Sequence, residues 1–191
     1  MPVKTSVFIA ASLDGYIAKA DGDIAWLVNI TPPTPEEDYG YKPFFDSVDA
    51  LLMGRVTYET ALTFAEWPYA DKKVFVLSHG QPLIPPALTG RVEIISGNPK
   101  ALLKKLEGAG YHHFYVDGGK TIQGFLHDGL IDEIILTTIP ILLGGGIPLF
   151  GCLRQELSLE LLASRSYANG FVQNHYKVKH QTITSDNLKK E

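Results

Sequence analysis

The chain has 191 residues, enough for one domain with a sizeable core, and its content of 45% hydrophobic and 20% charged residues is typical of a globular protein. A formal net charge of −4 gives no reason to expect nucleic acid as a partner. The single cysteine, Cys152, excludes an internal disulfide, and no apolar run approaches the roughly 20 residues that a membrane span needs.

The N-terminal residues Met1–Lys4 lead directly into an apolar segment and lack the charged, apolar and cleavage regions of a signal peptide. We therefore expect a cytoplasmic protein with no membrane partner. The polar segment 184–191 is expected to be a flexible tail, because it has little apolar surface to bury. No repeat or long linker divides the remainder, so we predict a single domain over residues 1–183.

The hydrophobic pattern predicts strands and helices in alternation. The predicted strands are Val3–Ala11, Ala50–Met53, Lys73–Leu77, Arg91–Ile95, His113–Val116, Ile131–Ile139, Glu156–Ser166 and Phe171–Val178. The predicted helices are 36–47, 57–65, 98–107 and 118–127. Residues 12–24 are predicted to form a loop.

Two short signals strengthen this assignment. Asn98-Pro99 is typical of a helix start, with Asn as the N-cap and Pro as the first helical residue. Asn169-Gly170 predicts a hairpin turn, because both residues tolerate a positive φ. The sequence therefore predicts an α/β fold, with a mostly parallel central sheet, helices on both faces and an antiparallel C-terminal hairpin.

Candidate binding residues follow three of the predicted strands. Gly54-Arg55-Val56-Thr57, Ser78-His79-Gly80 and Asp117-Gly118-Gly119-Lys120-Thr121 each begin where a strand ends. Ligands of open α/β sheets bind beyond the carboxyl ends of the strands. Glycines let a phosphate approach the backbone, and free N–H groups at a helix start point toward it. The three segments together therefore favour an anionic ligand.

A Gly-Gly pair between a strand and a helix is, taken alone, most often a tight turn. Neither the G-x-G-x-x-G fingerprint of dinucleotide-binding domains nor the nucleoside-triphosphate loop G-x-x-x-x-G-K-[ST] is present. The hypothesis of a phosphate site depends on the combination of the three segments. If they lay on opposite sides of the molecule, the hypothesis would fail.

Five motifs resemble the dihydrofolate reductase superfamily in content and order. They are A-A-S-L-D-G-Y-I-A (10–18), M-G-R-V-T-Y-E (53–59), V-L-S (76–78), V-D-G-G (116–119) and I-D-E-I-I-L-T (131–137). The first is most similar to the reductase domain of the riboflavin-biosynthesis deaminase-reductase and its stand-alone relatives. The resemblance covers about residues 3–178 and implies a dihydrofolate-reductase-like three-layer fold.

The resemblance also implies NADPH as cofactor and a hydride transfer to a small heterocycle, pyrimidine-like or pterin-like. Ala11 and Ile17 match positions that flank the nicotinamide. The positions matching phosphate or adenosine contacts are Gly54, Arg55, Thr57, Leu77, Ser78, Gly118, Gly119, Lys120 and Thr121. Arg55 suits a phosphate because its guanidinium donates in a planar fork.

The chain departs from dihydrofolate reductases proper after Trp26. No carboxylate follows within five residues, where these enzymes hold the acid that orients the pterin. Glu36, Glu37 and Asp38 are the nearest acids, and they are equally suited to capping a helix. A deaminase domain is also excluded, because the H-x-E motif with a downstream C-x-x-C is absent.

Asp14 is the candidate catalytic or substrate-orienting residue, since a carboxylate beside the nicotinamide can relay a proton. The alternative is that Asp14-Gly15 only forms a turn. Trp26, Tyr41 and Phe44 are candidate substrate contacts through ring stacking, although some of these aromatics belong to a core in the alternative interpretation. Asp117 is expected to bond backbone in the glycine loop. No His, Cys or carboxylate spacing indicates a metal site.

Two alternative functions remain open from the sequence. One is a true dihydrofolate reductase whose acid has moved to the segment 36–46. The other is a nucleotide-binding module without catalysis. By analogy with relatives we also expect a homodimer, with the last strands supplying an edge.

Overall fold

A computed structural model describes residues 3–30 and 32–180. The strands are β1 (Lys4–Ser12), β2 (Tyr16–Ala18), β3 (Ala50–Gly54), β4 (Lys73–Leu77), β5 (Val92–Ile95), β6 (His113–Asp117), β7 (Glu133–Ile139), β8 (Ile147–Pro148), β9 (Ser158–Ser166) and β10 (Val172–Lys179). The helices are α1 (Ala25–Val28), α2 (Tyr41–Ser47), α3 (Arg55–Ala61), α4 (Pro99–Gly108) and α5 (Gly119–His127).

The central sheet has eight strands in the order β5-β4-β3-β6-β1-β7-β10-β9. The first six in this order are parallel to one another. β10 then pairs antiparallel with β7, and β9 pairs antiparallel with β10. The predicted α/β class with an antiparallel C-terminal hairpin is therefore confirmed. A two-residue β8 pairs with β2 as a separate ribbon.

Alternating side chains of the central strands bury two cores, one on each face of the sheet. In β3, Ala50 and Leu52 pack in the cluster that contains the α4 and α5 leucines and phenylalanine, whereas Leu51 and Met53 pack with residues of α2 and α3. A strand covered on both faces reads as a continuous apolar run, which is what this segment shows. The three layers predicted from the sequence are therefore present.

The helix start at Asn98 and the hairpin turn at Asn169-Gly170 are present as predicted. The side chain of Asn98 accepts a hydrogen bond from the Ala101 N–H at 3.2 Å and caps α4. Gly170 has a φ of +84° in the turn between β9 and β10, where the Tyr167 N–H donates to the Phe171 carbonyl. These signals succeed because the interactions involved are local in the chain.

Several predicted boundaries are wrong. The helix predicted to start near Glu36 begins at Tyr41, because Tyr39 and Gly40 have positive φ values of 58° and 79°. The helix predicted over 57–65 runs over Arg55–Ala61. The predicted loop 12–24 contains β2, whose partner lies about 130 residues away in the chain. α1 was not predicted. The tail 184–191 lies outside the described residues, so the domain boundary at 183 stays a prediction.

One histidine at the amino end of the sheet links stability to pH. Nδ1 of His113 lies 3.0 Å from the Ser47 carbonyl, which can only accept, so Nδ1 carries the proton and donates. Nε2 is then free to accept from the Ser6 hydroxyl at 2.8 Å. Burial lowers the pKa of His113 below its usual value.

We predict that the protein loses stability as the pH falls below about 6.5. There the unfolded state takes up a proton at His113 more readily than the folded state, so acid favours unfolding. His113→Gln should flatten the dependence of the melting temperature on pH between about 7 and 5, compared with an exposed-site control, His112→Gln. An unchanged slope in His113→Gln would show that other groups set the acid sensitivity.

Candidate functional site

The three candidate segments lie side by side at one edge of the sheet. β3 is the neighbour of both β4 and β6, and all three strands are parallel. In the strand register, Gly54 is opposite Leu77 and Met53 is opposite Asp117. The loops that follow these strands therefore leave the sheet at the same level. The convergence that the binding hypothesis requires is present.

The first and third segments are in direct contact through their glycines and threonines. A β-carbon placed on Gly118 would overlap the Thr57 hydroxyl oxygen, and one on Gly54 would lie 2.9 Å from Thr121 Oγ1. Gly118 also has a φ of +90° and forms the N-cap of α5, so its conformation favours glycine independently of the contact. Without a β-carbon, buried Gly118 brings the start of α5, where backbone N–H groups can bind an anion, directly against the Thr57 side chain.

Arg55 connects this junction to the second segment. Its Nη1 atom lies 3.6 Å from the position that a β-carbon of Gly80 would take, and Ser78 Oγ lies 3.8 Å from the same point. The Ser78 hydroxyl accepts the Gly80 N–H at 3.1 Å, which shapes the turn after β4. Arg55 and Lys120 are both exposed at this edge. Positively charged side chains, hydroxyl groups and glycine backbone therefore lie together at this edge of the sheet.

The β2–β8 ribbon covers the start of α5. A β-carbon on Gly119 would lie 2.8 Å from Ile17 Cδ1 and 3.4 Å from Ile147 Cγ2, so these side chains rest on the glycine. Gln123 of α5 donates to the Pro148 carbonyl at 2.7 Å and ties the ribbon to the helix. Ala11 is 2% exposed in the core, so any ligand contact at this position would come from its backbone. No sequence pattern indicated the strand β8 of this ribbon.

Asp14 anchors the loop that precedes β8. Its carboxylate accepts hydrogen bonds from the Ser12 hydroxyl at 2.6 Å, the Leu143 N–H at 3.1 Å and the Gly144 N–H at 2.7 Å. These bonds, that from Ser12 first, hold the pKa of Asp14 below its usual range, so the carboxylate is ionised at neutral pH. The Gly15 N–H donates to the Ser12 carbonyl, so the expected turn is also present. The catalytic role of Asp14 stays a prediction.

A small cavity of about 170 Å³ opens on the sheet face beside the carboxyl end of β1. Its walls are largely apolar and aromatic, with a few polar groups, as is typical of a site for a small ring. The lining residues are Phe8, Ala10, Leu27, Ile30, Asp38, Tyr39, Tyr41, Thr137, Ile139 and Phe171. Ala10 lines this cavity, whereas Ala11, the next residue of β1, packs in the core cluster that contains residues of α5 on the other face of the sheet.

The predicted substrate contacts divide between this cavity and the core. Tyr41 lines the cavity, and its ring is held edge-on to Phe8 at 5.5 Å between centroids. Phe44 is only 8% exposed and packs between Phe8 and Tyr115, so the structure places it behind the cavity wall, as a core residue. Trp26 packs beside the cluster of Ile139, Tyr167 and Phe171 without reaching the cavity.

The acids that the sequence offered as a relocated pterin ligand have other partners. Asp38 reaches the cavity, but its carboxylate accepts the N–H groups of Gly40 and Lys42, both at 2.8 Å, at the start of α2. These bonds, that from Lys42 first, lower its pKa. The Glu37 carboxylate accepts the Tyr39 N–H at 2.8 Å. Asp38 thus caps a helix, which was the alternative considered from the sequence.

Asp117 is the one half-buried carboxylate at the converging strand ends in the described part of the chain. It accepts the Gly118 N–H at 2.8 Å and the Tyr69 hydroxyl at 3.2 Å. Burial raises its pKa, and these two bonds oppose the rise. The expected bond to the glycine-loop backbone is therefore confirmed. The contact with Tyr69 was not predictable, because Tyr69 belongs to an irregular segment that no pattern connects to β6.

Two wider searches cover the described residues alone. Within 3–30 and 32–180, no group of three or more His, Cys, Asp or Glu side chains is arranged to hold a metal ion. Among the helices of the same ranges, none is long and apolar enough to cross a membrane.

The strand order and the layers together define a dihydrofolate-reductase-like fold. Dihydrofolate reductase from Enterococcus faecalis, complexed with NADP(H), superposes with a TM-score of 0.65, at 14% identity, over 93% of this chain and 97% of that chain. At this level of identity the likeness establishes the fold, and it confirms the predicted fold class.

The chain belongs to the RibD C-terminal domain family, whose model matches residues 4–173. A protein from Shewanella sp. PV-4, named as a candidate riboflavin biosynthesis protein, is 40% identical with a TM-score of 0.87, over 93% of this chain and 99% of that chain. The Bacillus subtilis (strain 168) protein YwjB is 36% identical over 92% of this chain and 98% of its own length. The resemblance stated from the sequence is thus confirmed.

Proposed function

We propose that the protein is an NADPH-dependent reductase of a small conjugated heterocycle, pyrimidine-like or pterin-like. The observation that carries this proposal is the junction of Gly118 with Thr57, where the two loops are in contact and a β-carbon would overlap Thr57 Oγ1. Membership of the RibD C-terminal domain family supports a reductase, and the small aromatic cavity beside β1 supports a flat ring as substrate.

The residues present fit a dinucleotide. Gly118, Gly119, Thr57 and Thr121 would hold its phosphates, and Arg55 with Ser78 would hold a further phosphate on the adenosine side. Ala11 and Ile17 would flank the nicotinamide. When bound, the cofactor supplies the hydride. Lys120, exposed at the start of α5, and Leu77, at the end of β4, complete the proposed cofactor contacts.

The protein's own contribution to the reaction is positioning. The β2–β8 ribbon, held by Asp14, would exclude water from the space between the proposed substrate cavity and the proposed phosphate site at the start of α5. Tyr41 would stack on the substrate ring, and burial together with the Asp117 charge raises the pKa of Tyr41, which keeps its hydroxyl protonated as a hydrogen-bond donor. Trp26 would support the substrate pocket from behind through Leu27.

The proposal is tested by thermal shift and turnover of the purified protein. NADPH should raise the melting temperature more than NADH, because it binds only the folded state and carries one more phosphate. Oxidation of NADPH should then be followed with a panel of pyrimidines and pterins. Binding without turnover would favour the module without catalysis. The absence of any shift with saturating NADPH would overturn the proposal.

A true dihydrofolate reductase is disfavoured by the bonding of Asp38, whose carboxylate is engaged by two backbone N–H groups. Expression in cells that lack their own folate reductase separates the two enzymes. We expect no rescue of growth. Rescue would show that Asp38, despite its capping role, serves as the pterin ligand.

We also propose that the protein forms a homodimer through β9. This strand lies at the edge of the sheet, all nine of its residues are exposed, and Leu159, Leu161 and Leu162 are 42%, 55% and 46% exposed. An open edge with exposed leucines is a surface that proteins normally cover. Light scattering should give twice the mass of the chain, and Leu161→Asp should give the monomer. A monomeric wild-type protein would contradict the proposal.

A further inference from the structure

Arg55, the one arginine at the converging strand ends in the described ranges, is held by a neighbour on its own helix. Its Nε donates to Glu59 Oε1 at 2.7 Å, with one helical turn between the two residues in α3. Nη1 of the same guanidinium lies 3.6 Å from the position that a β-carbon of Gly80 would take. The guanidinium thus lies between α3 and the turn after β4.

The bond to Glu59 determines which edge of the guanidinium faces outward. Nε is occupied, whereas Nη1 and Nη2 make no hydrogen bond within the described part of the protein. These two nitrogens form the end of the planar fork, which binds two oxygens of one phosphate. An exposed ion pair of this kind contributes little to the free energy of folding. Removal of the pair should therefore leave the protein folded and change ligand binding instead.

We propose that Glu59 is a positioning residue that selects the phosphorylated cofactor by holding the Arg55 guanidinium over the Ser78–Gly80 turn. The inference rests on the proposed function, since it takes NADPH as the ligand of this edge. Glu59 itself does not contact the phosphate. It reduces the number of conformations that Arg55 must lose when a phosphate monoester binds, and this lowers the cost of binding NADPH but not NADH.

The test compares the dissociation constants of NADPH and NADH for three variants by isothermal titration. Glu59→Ala should raise the Kd of NADPH about fivefold, a change that corresponds to the energy of a well-ordered ion pair. The Kd of NADH should change by less than about twofold. Glu59→Gln should restore tight NADPH binding, because the amide oxygen still accepts from Nε. Asp46→Ala is the matched control, since Asp46 forms the same kind of pair with Lys42 at 2.9 Å on α2.

Failure of this inference and failure of the proposed function give different results. If wild-type protein binds NADPH but Glu59→Ala leaves the ratio of the two constants unchanged, the role of Glu59 is overturned. If Glu59→Ala weakens the binding of NADPH and of NADH equally, the role of Glu59 is also overturned, because the effect would not depend on the additional phosphate. If the wild-type protein binds neither cofactor, the proposed function falls, and the role of Glu59 falls with it.

Discussion

Gly118→Ala is expected to raise the Kd of NADPH about a hundredfold while the protein still folds. The added β-carbon would overlap Thr57 Oγ1 and push the loop after β3 away from α5. Because both loops hold one pyrophosphate in the proposed binding mode, separating them should remove contacts on both sides. The φ of +90° adds a conformational cost of about 1–2 kcal/mol in stability.

A glycine within the same helix provides the control for Gly118. Gly124 has no atom within 4 Å of the position of an added β-carbon, so Gly124→Ala should leave NADPH binding unchanged. Alanine also has the better helix propensity, so this variant should be at least as stable as the wild type. A folded Gly118→Ala that binds NADPH as tightly as Gly124→Ala would show that the two loops do not share the ligand.

Asp14→Ala is expected to weaken NADPH binding about tenfold and to change the turnover number by less than about threefold. Two of the three hydrogen bonds to the Asp14 carboxylate connect the first loop to Leu143 and Gly144, and the third, from Ser12, is local. Their loss should release the β2–β8 ribbon from the start of α5. Binding constants and single-turnover rates measured on the same protein separate these two effects.

Asp14 variants also distinguish a positioning role of this residue from a role in proton transfer. Asp14→Asn keeps one acceptor oxygen, so it should bind NADPH with an affinity between those of the wild type and Asp14→Ala. Asp21→Ala is the control, because Asp21 lies in the loop after β2, accepts the Asp23 N–H at 3.0 Å and, among the described residues, forms no hydrogen bond with Leu143 or Gly144. A loss of turnover of about a thousandfold in both Asp14 variants, with NADPH affinity intact, would make Asp14 a proton donor or acceptor.

The parts of the fold that the sequence predicts well are those set by short-range physics. The apolar runs of β3 and β4 are buried on both faces of the sheet, so their composition alone indicates strands. Asn98 caps its own helix. The start of α2 was misplaced because acidic residues after Pro35 suggest a first turn, whereas Tyr39 and Gly40 adopt a left-handed backbone.

In the candidate site, too, some features were predictable from the sequence and others were not. The convergence of the segments at Gly54, Ser78 and Gly118 was predictable, because the carboxyl ends of parallel strands meet at one edge. The anchoring of Gly144 by Asp14 was not, because the two residues are 130 positions apart and a backbone N–H leaves no trace in sequence. The position of Phe44 behind the cavity wall was not predictable, because an aromatic ring in a core and one in a cavity wall have the same pattern.

Hydrogen exchange measured by mass spectrometry, with and without saturating NADPH, tests most directly whether one dinucleotide bridges the converging loops. We predict that exchange slows together in the peptides containing 54–57, 78–80 and 118–121, with no comparable change at the β9–β10 hairpin. Slowing in only one of these peptides, or in peptides remote from this edge of the sheet, would contradict the account.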